Sequence, residues 1–556
     1  MHTHRYAILF AGILLTSLPA LAATPTEVPA SVLKVAQAHI TRDSLRAPIR
    51  ILASDEFEGR GPATRGDALT RLYLSTEMES MGLQPGGENG GWEQPFDIVG
   101  VRAHLPETWD FTGAGGKVSL KLSDDYIAGS GVQTPSASIK DAELVFVGYG
   151  IEAPEYRWDD FKGMDVKGKV LVMLNNDPDW DPKLFGGNTR LYYGRWTYKY
   201  ESAARHGAAG VIIIHTTPSA GYPWQVVQSS WGGTQFELPD EGEARILLKG
   251  WATEDAARRL LKAGGADLDQ LVKKAKSRSF RPVPLELRTS IEFRNDVSRV
   301  KTANVAGLLP GSDPELKDEL VIYSAHHDHF GIGDPDESGD KIYNGAEDNA
   351  AGCAEVLAIA RAMAALPERP RRSVLFLFVA GEEQGLLGSK YYSLHPTFAP
   401  GKIAANINYD GGDFLGRTRD LTQIGAGKSS LDAIARAVVE KQGRKLVPDQ
   451  NPDKGYYYRS DQFSFAKIGV PALYFDQGTD YIGKPAGWGK QKHEEWTEHV
   501  YHQPSDELTD EWVFEGMIED ASVGFEAGWL VAQADEMPTW NPGDEFEAER
   551  KKALAQ

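Results

Sequence analysis

The chain has 556 residues, 41% hydrophobic and 25% charged, a globular composition too long for one ordinary core, so two or more folding units are expected. Its formal net charge of −20 argues against nucleic acid as a partner and against electrostatic docking on anionic membranes; otherwise the acidity reads as solubility.

At the N-terminus, His4 and Arg5 precede an apolar run over 8–18, Pro19 ends it, and Ala20-Leu21-Ala22 forms a small-x-small cleavage site. This is the layout of a cleaved signal peptide over residues 1–22, not of a membrane span, and no cysteine follows to carry a lipid anchor. The expected location is periplasmic or extracellular, with no membrane anchor after cleavage. The one cysteine, Cys353, falls in an apolar helical pattern and reads as packing, so stability rests on core size and not on an internal disulfide.

Next, 45–83 carries helical spacing, with Gly82 as its stop, and Gly-rich sequence over 86–91 breaks the pattern. Strand-like runs at 144–151 and 168–174 follow, then a short helix over 203–210 feeding a buried strand at 211–214. None of these carries a cluster of metal ligands, so 126–285 reads as a separate α/β unit inserted into a larger one made of 35–125 and 286–535, with 536–556 as a C-terminal tail. From Thr302 onward, short continuous apolar strands at 319–323, 373–379, 403–407 and 471–475 enclose a helix over 351–366. Strands buried on both faces and alternating with helices predict an α/β fold: a doubly wound, mostly parallel sheet with helices on both faces. Sites in such sheets lie at the C-terminal ends of the strands.

Those strand ends run into ligand-type residues: Ala325-His326-His327-Asp328-His329, Gly381-Glu382-Glu383-Gln384 and Tyr409-Asp410-Gly411. The loop before the helix carries Gly345-Ala346-Glu347-Asp348-Asn349, and Tyr501-His502-Gln503-Pro504-Ser505-Asp506 stands near the C-terminus. Singly, each pattern is ordinarily a solvated surface. Together they supply two histidines and three carboxylates, a donor set that suits zinc and can hold two ions if one carboxylate bridges. Of Glu382 and Glu383, one can bind metal while its neighbour stays free as a base. Strand alternation points His327 away from His326 and Asp328 and puts His329 on the opposite parity too, so both are expected off the metal. His493 and His499 are expected in a Trp- and Glu-rich loop, with contacts to substrate as the alternative.

These motifs resemble the co-catalytic di-zinc peptidases that include secreted bacterial aminopeptidases and the glutamate carboxypeptidases. The likeness runs through His-x-Asp, Gly-Ala-x-Asp-Asn, the run at 381–389, the later Asp410 and the final Tyr501-His502, and extends to 52–61 and 459–473. The insert resembles a protease-associated domain through Val147-Gly148-Tyr149-Gly150 and the Gly168-Lys169 strand. The resemblance implies a zinc exopeptidase fold with two zinc ions: His326 and Asp410 on one, Glu383 and His502 on the other, and Asp348 bridging. It implies Glu382 as general base, Asp328 as the residue orienting His326, and Tyr501 as a donor to the oxyanion. The implied activity is an aminopeptidase acting on peptides. A carboxypeptidase or dipeptidase of the same family, a one-zinc glutaminyl cyclase and a catalytically dead binding module are the alternatives. Gln462, where many relatives have His, and the extra loop over 331–341 are departures that bear on substrate preference.

Overall fold

The computed structural model describes residues 27–555, so the predicted signal segment 1–22 lies outside the described residues. At its centre are four neighbouring parallel strands, in the order Ser373–Val379, Leu320–His326, Ile403–Tyr409 and Ala472–Asp476. The first three are buried at every residue, which is why they read as unbroken apolar runs. Antiparallel strands extend the sheet on both sides: the C-terminal part of Val283–Leu309 against Ser373–Val379, and Asp420–Ile424 against Ala472–Asp476. The result is the α/β architecture the sequence predicts, a mostly parallel sheet with some antiparallel additions.

Helices cover both faces. Val321, Tyr323 and Ala325 pack with Gly352–Ala364 and Glu515–Gln533, while Ile322, Leu375 and Leu377 pack against Tyr392 and Phe465 on the other side. Two glycines let the long helix Glu515–Gln533 lie close on the sheet. The Tyr323 hydroxyl donates to Gly524 O at 2.9 Å, and a Cβ at Gly528 would overlap the Tyr323 hydroxyl and lie 2.6 Å from Cζ. Tyr323 belongs to the strand that ends on His326, and Tyr409, whose hydroxyl a Cβ at Gly524 would overlap, ends the strand just before Asp410, so these contacts fix the height of the strand ends.

The strand Val283–Leu309 is 27 residues long and changes partners along one continuous sheet. Its middle pairs with Glu93–His104, from Arg294 opposite His104 to Val305 opposite Glu93. Its N-terminal part pairs with Ser136–Phe146. Ser136–Phe146 in turn pairs in parallel with Val170–Leu174, followed across the sheet by Gly210–His215 and Leu248–Thr253, over a core that includes Phe146, Ile212 and Leu260.

Several local expectations change. The strand read over 144–151 stops at Phe146, because Gly148 and Gly150 adopt φ of +61° and +62° and turn the chain. The loop expected around His493 and His499 is the helix Trp488–His499, rich in Lys, Gln and Glu, which favour helix. The segment expected as a tail packs on the sheet: Trp540 and Phe546 are buried, and Arg550 Nη1 donates to Ile403 O at 2.8 Å. No helix among the described residues is long and apolar enough to cross a membrane.

Gly528→Ala is expected to destabilise the protein by about 1–3 kcal/mol, because overpacking against a buried tyrosine outweighs the roughly 1 kcal/mol that alanine gains in helix propensity. Chemical denaturation measures the difference; an equally stable or more stable variant would mean that the helix does not hold the strands at this contact.

Candidate metal centre

The strand Leu320–His326 ends on His326, and Ile403–Tyr409 ends one residue before Asp410. His326 Nε2 lies 3.1 Å from Asp410 Oδ1 and 3.3 Å from Asp348 Oδ1. On the other side of the same carboxylate, Asp348 Oδ2 lies 3.2 Å from His502 Nε2, which is also 3.2 Å from Glu383 Oε2. The structure therefore brings His326, Asp348, Glu383, Asp410 and His502 together, with Asp348 central. His502 takes a left-handed φ of +57°, costly by about 1–2 kcal/mol for a side-chain-bearing residue, which turns its ring toward the cluster.

His329 is a correction. The strand ends at His326, so alternation no longer governs the next residues, and His329 turns inward. Its Nδ1 lies 2.6 Å from Glu383 Oε1, and His329, Asp348 and Glu383 form a second grouping of ligand atoms beside that of His326, Asp348 and Asp410. The two atoms are out of line for a hydrogen bond, and neither finds another partner. Buried donors and acceptors rarely stay orphaned, so atoms that converge in this way fit a shared cation. His327 behaves as expected and points away, with Nε2 at 3.2 Å from Ala303 O. His493 contacts the Tyr481 hydroxyl at 3.3 Å, and Gln462 bonds Asn408 and the Tyr457 carbonyl, inside the core.

Asp328 meets His326 through its backbone and not through its carboxylate. Its backbone carbonyl, not its carboxylate, meets His326 Nδ1, at 3.3 Å; Oδ1 is 3.7 Å from that nitrogen, beyond hydrogen-bond reach, and accepts instead from Glu382 N at 3.1 Å. It thus fixes the backbone of the Glu382-Glu383 turn. Glu382 is half-buried, and it lines a cavity of about 730 Å³ together with Glu383, Tyr501 and His502. Burial first, then Asp410 and Asp461, push Glu382 well above the usual carboxylate range, with His326 pulling against them. Burial, Asp348 and Glu382 do the same to Glu383. Asp348 is held well below its usual value against its burial, by hydrogen bonds from His326 and His502. Burial keeps the Tyr501 hydroxyl protonated far above its usual pKa.

Other residues hold the frame. Arg60, fully buried, donates to His327 O, Leu52 O, Asn344 O and Gly345 O at 2.6–3.0 Å, tying the His326 strand end to the Asp348 loop. Asp506 accepts from Glu347 N at 2.9 Å and Asp348 N at 3.0 Å. Asn349 Oδ1 accepts from Gly352 N and Gly411 N, joining that loop to the Asp410 loop. Segment 126–285 also reaches the centre: Ser230 Oγ lies 3.1 Å from His502 Nδ1, and Phe236 N donates to Gln384 Oε1 at 2.9 Å. So many carboxylates in a dry site need cations to neutralise them, and the imidazole and carboxylate donors fit zinc.

Residues 304–515 match peptidase family M28. The chain is 26% identical over 361 residues to carboxypeptidase Q of Xenopus laevis, spanning 64% of this chain and 63% of that protein. It is 26% identical over 204 residues to leupeptin-inactivating enzyme 1 of Streptomyces exfoliatus, spanning 36% of this chain and 42% of that one. The chain thus covers less than two thirds of the length of either relative. Among solved structures, an aminopeptidase from Aneurinibacillus sp. strain AM-1 superposes over 92% of this chain and all of its own, with a TM-score of 0.52 and 18% identity. That likeness shows a shared fold.

The Ser230 contact generates a test. If His502 is a zinc ligand, Ser230→Ala is expected to weaken zinc binding by about tenfold or more, the usual effect of losing a partner that orients such a histidine. Chelator competition reads this directly. An unchanged affinity would mean that His502 needs no support from segment 126–285.

Proposed function

We propose that the protein is an exported zinc-dependent exopeptidase, an aminopeptidase that removes N-terminal residues from peptides. The observation that carries this reading is Glu382, an acid on the cavity wall directly beside the five-residue ligand cluster. His326 and Asp410 would hold one ion, Glu383 and His502 the second, and Asp348 both. Support for the bridge is that the two Asp348 oxygens face different histidines, at 3.3 Å and 3.2 Å. His329 is a further candidate ligand beside Glu383. When bound, the two ions supply Lewis acidity that polarises the scissile carbonyl and makes water a stronger nucleophile.

Glu382 accepts the proton of the attacking water at a carboxylate oxygen and delivers it to the leaving amine. Asp328 keeps it aimed by holding its backbone N–H. Tyr501 donates its hydroxyl proton toward the developing oxyanion; Arg459 Nη2 contacts the same oxygen at 3.3 Å, leaving that proton free for substrate. Segment 126–285, read as a protease-associated insert, walls the cavity with Tyr222, Ser230 and Trp231. The signal-like segment 1–22 supports export.

A chelator is expected to abolish hydrolysis and zinc to restore it. Glu382→Gln is expected to lower kcat by about 10²–10⁴-fold with zinc content retained, whereas Glu383→Gln loses one ion and is partly rescued by added zinc. Metal analysis beside kinetics on aminoacyl and N-blocked peptides decides. Zinc loss from Glu382→Gln but not from Glu383→Gln would swap the two roles, and wild-type turnover in both would remove the pair from the reaction. Cleavage of N-blocked peptides alone would replace the aminopeptidase by a carboxypeptidase.

A further inference from the structure

Segment 126–285 has a cavity of its own, of about 430 Å³, which shares no lining residue with the cavity that holds Glu382. It opens where three parallel strands end. Asn175 and Asp177 follow Val170–Leu174, Thr216 and Ser219 follow Gly210–His215, and Glu254 follows Leu248–Thr253. That edge of a parallel sheet is where small ligands bind, and the volume is that of a small-molecule site. Leu174, Ile214, Leu268 and Val272 give the wall an apolar part.

Arg190 is the group on this wall that the fold does not use. It is 5% exposed, its side chain forms no hydrogen bond or ion pair among the described residues, and its Nε is buried without a partner. Its position is nevertheless fixed. A Cβ at Gly194 would lie 2.6 Å from Arg190 Cγ, a Cβ at Gly455 would lie 3.1 Å from its Cδ, and its backbone N–H donates to Pro452 O at 2.9 Å. A guanidinium carries five donors and keeps its charge at any ordinary pH, so burying one unpaired is costly unless an anion joins it.

Most other charges on the wall already have partners. Arg258 holds Glu254 at 2.6 Å and Asp269 at 2.8 Å, and Asp453 faces Lys454 at 3.0 Å. Lys199, fully buried, donates to Tyr149 O at 2.6 Å and Asn176 O at 2.9 Å. Asp177 is buried and accepts from Leu191 N at 2.9 Å through Oδ2. Its Oδ1 lies 3.0 Å from the same Gly194 Cβ position that crowds Arg190 Cγ. The Asp177 carboxylate thus flanks the Arg190 stem without pairing with its guanidinium. A bare anion would meet Arg190 but face Asp177, and a bare cation the reverse. A ligand that carries one carboxylate and one ammonium satisfies both.

We propose that this cavity binds a free α-amino acid with an apolar side chain, its carboxylate on Arg190, its ammonium toward Asp177 and its side chain against Leu268 and Val272. The site lies outside the peptidase reading, although its ligand is of the class that such a reaction releases. The stretch that carries Arg190 also places Tyr192 and Trp196 on the catalytic cavity, so the two cavities share one short piece of chain.

Calorimetric titration of L-leucine into the zinc-loaded full chain tests the site, with leucine amide and N-acetylleucine as probes that each lack one charge. Both probes are expected to bind there about tenfold or more weakly than leucine. Val272→Trp fills the cavity and Arg190→Gln removes its charge. Each variant is expected to bind one leucine fewer per chain than the wild type, with kcat/KM on leucyl peptides unchanged. Leucine held at the zinc centre as product survives both substitutions, so the stoichiometry separates the two places. Val272 is half-buried on the helix Leu268–Ala275, and its variant carries the test if Arg190→Gln does not fold. No leucine bound by the wild type, the full wild-type stoichiometry in Val272→Trp, or N-acetylleucine bound as tightly as leucine would overturn the proposal. Binding is read without turnover, so the titration decides the site even if no peptide is cleaved and the peptidase reading fails.

Discussion

Asp328, Asp348, Glu382, Glu383 and Asp410 share one cleft at the ends of parallel strands, where water is too scarce to screen them. Carboxylates a few ångströms apart in such a place either take up protons or gather cations. The polar framework is arranged against this repulsion. Backbone N–H groups of Glu347 and Asp348 are anchored by Asp506, and that of Glu382 by Asp328. Arg60 clamps the carbonyls of the two loops that carry His326 and Asp348. These contacts fix backbone and leave the carboxylate oxygens of Glu383 and Asp348 directed at histidines and at each other's neighbourhood, the arrangement a pair of ions would need.

The sheet explains how residues far apart in sequence meet with such accuracy. Parallel strands in register end at one level, and close packing of the helix Glu515–Gln533 through Gly524 and Gly528 sets that level from below. The strand Val283–Leu309 then ties segment 126–285 to the same frame, because it pairs with Ser136–Phe146 at one end and with Ser373–Val379 at the other. A rigid ribbon places Ser230 against His502 and Arg195 on the cavity wall. The second unit thereby contributes to the ligand frame and to the shape of the cleft, and does more than cover its mouth.

The four parallel strands were readable in the sequence because burial on both faces leaves nothing but apolar residues. The ligand-type residues were readable because each follows such a strand or precedes a helix. Val283–Leu309 does not read as one strand, although Leu285, Leu287, Ile291 and Phe293 alternate with Glu286, Arg288, Glu292 and Arg294, because the boundary at 285 rests on where the metal-ligand clusters begin and so cuts through the strand. His329 was misread because strand alternation was carried past the residue where the strand ends. Ser230 left no signal at all: a serine bonding a ring 272 positions away is a product of the fold. Arg60 stood in a visible Gly-Arg-Gly motif, but that its guanidinium would be buried among carbonyls depends on loops brought together only by the folded chain.

The central claim is that this cluster holds two cations about one shared aspartate. Diffraction from zinc-loaded crystals, recorded at the zinc absorption edge, tests it most directly. The account predicts two anomalous peaks flanking Asp348, one beside His326 and Asp410 and the other beside Glu383 and His502. A single peak, or peaks away from Asp348, would contradict it.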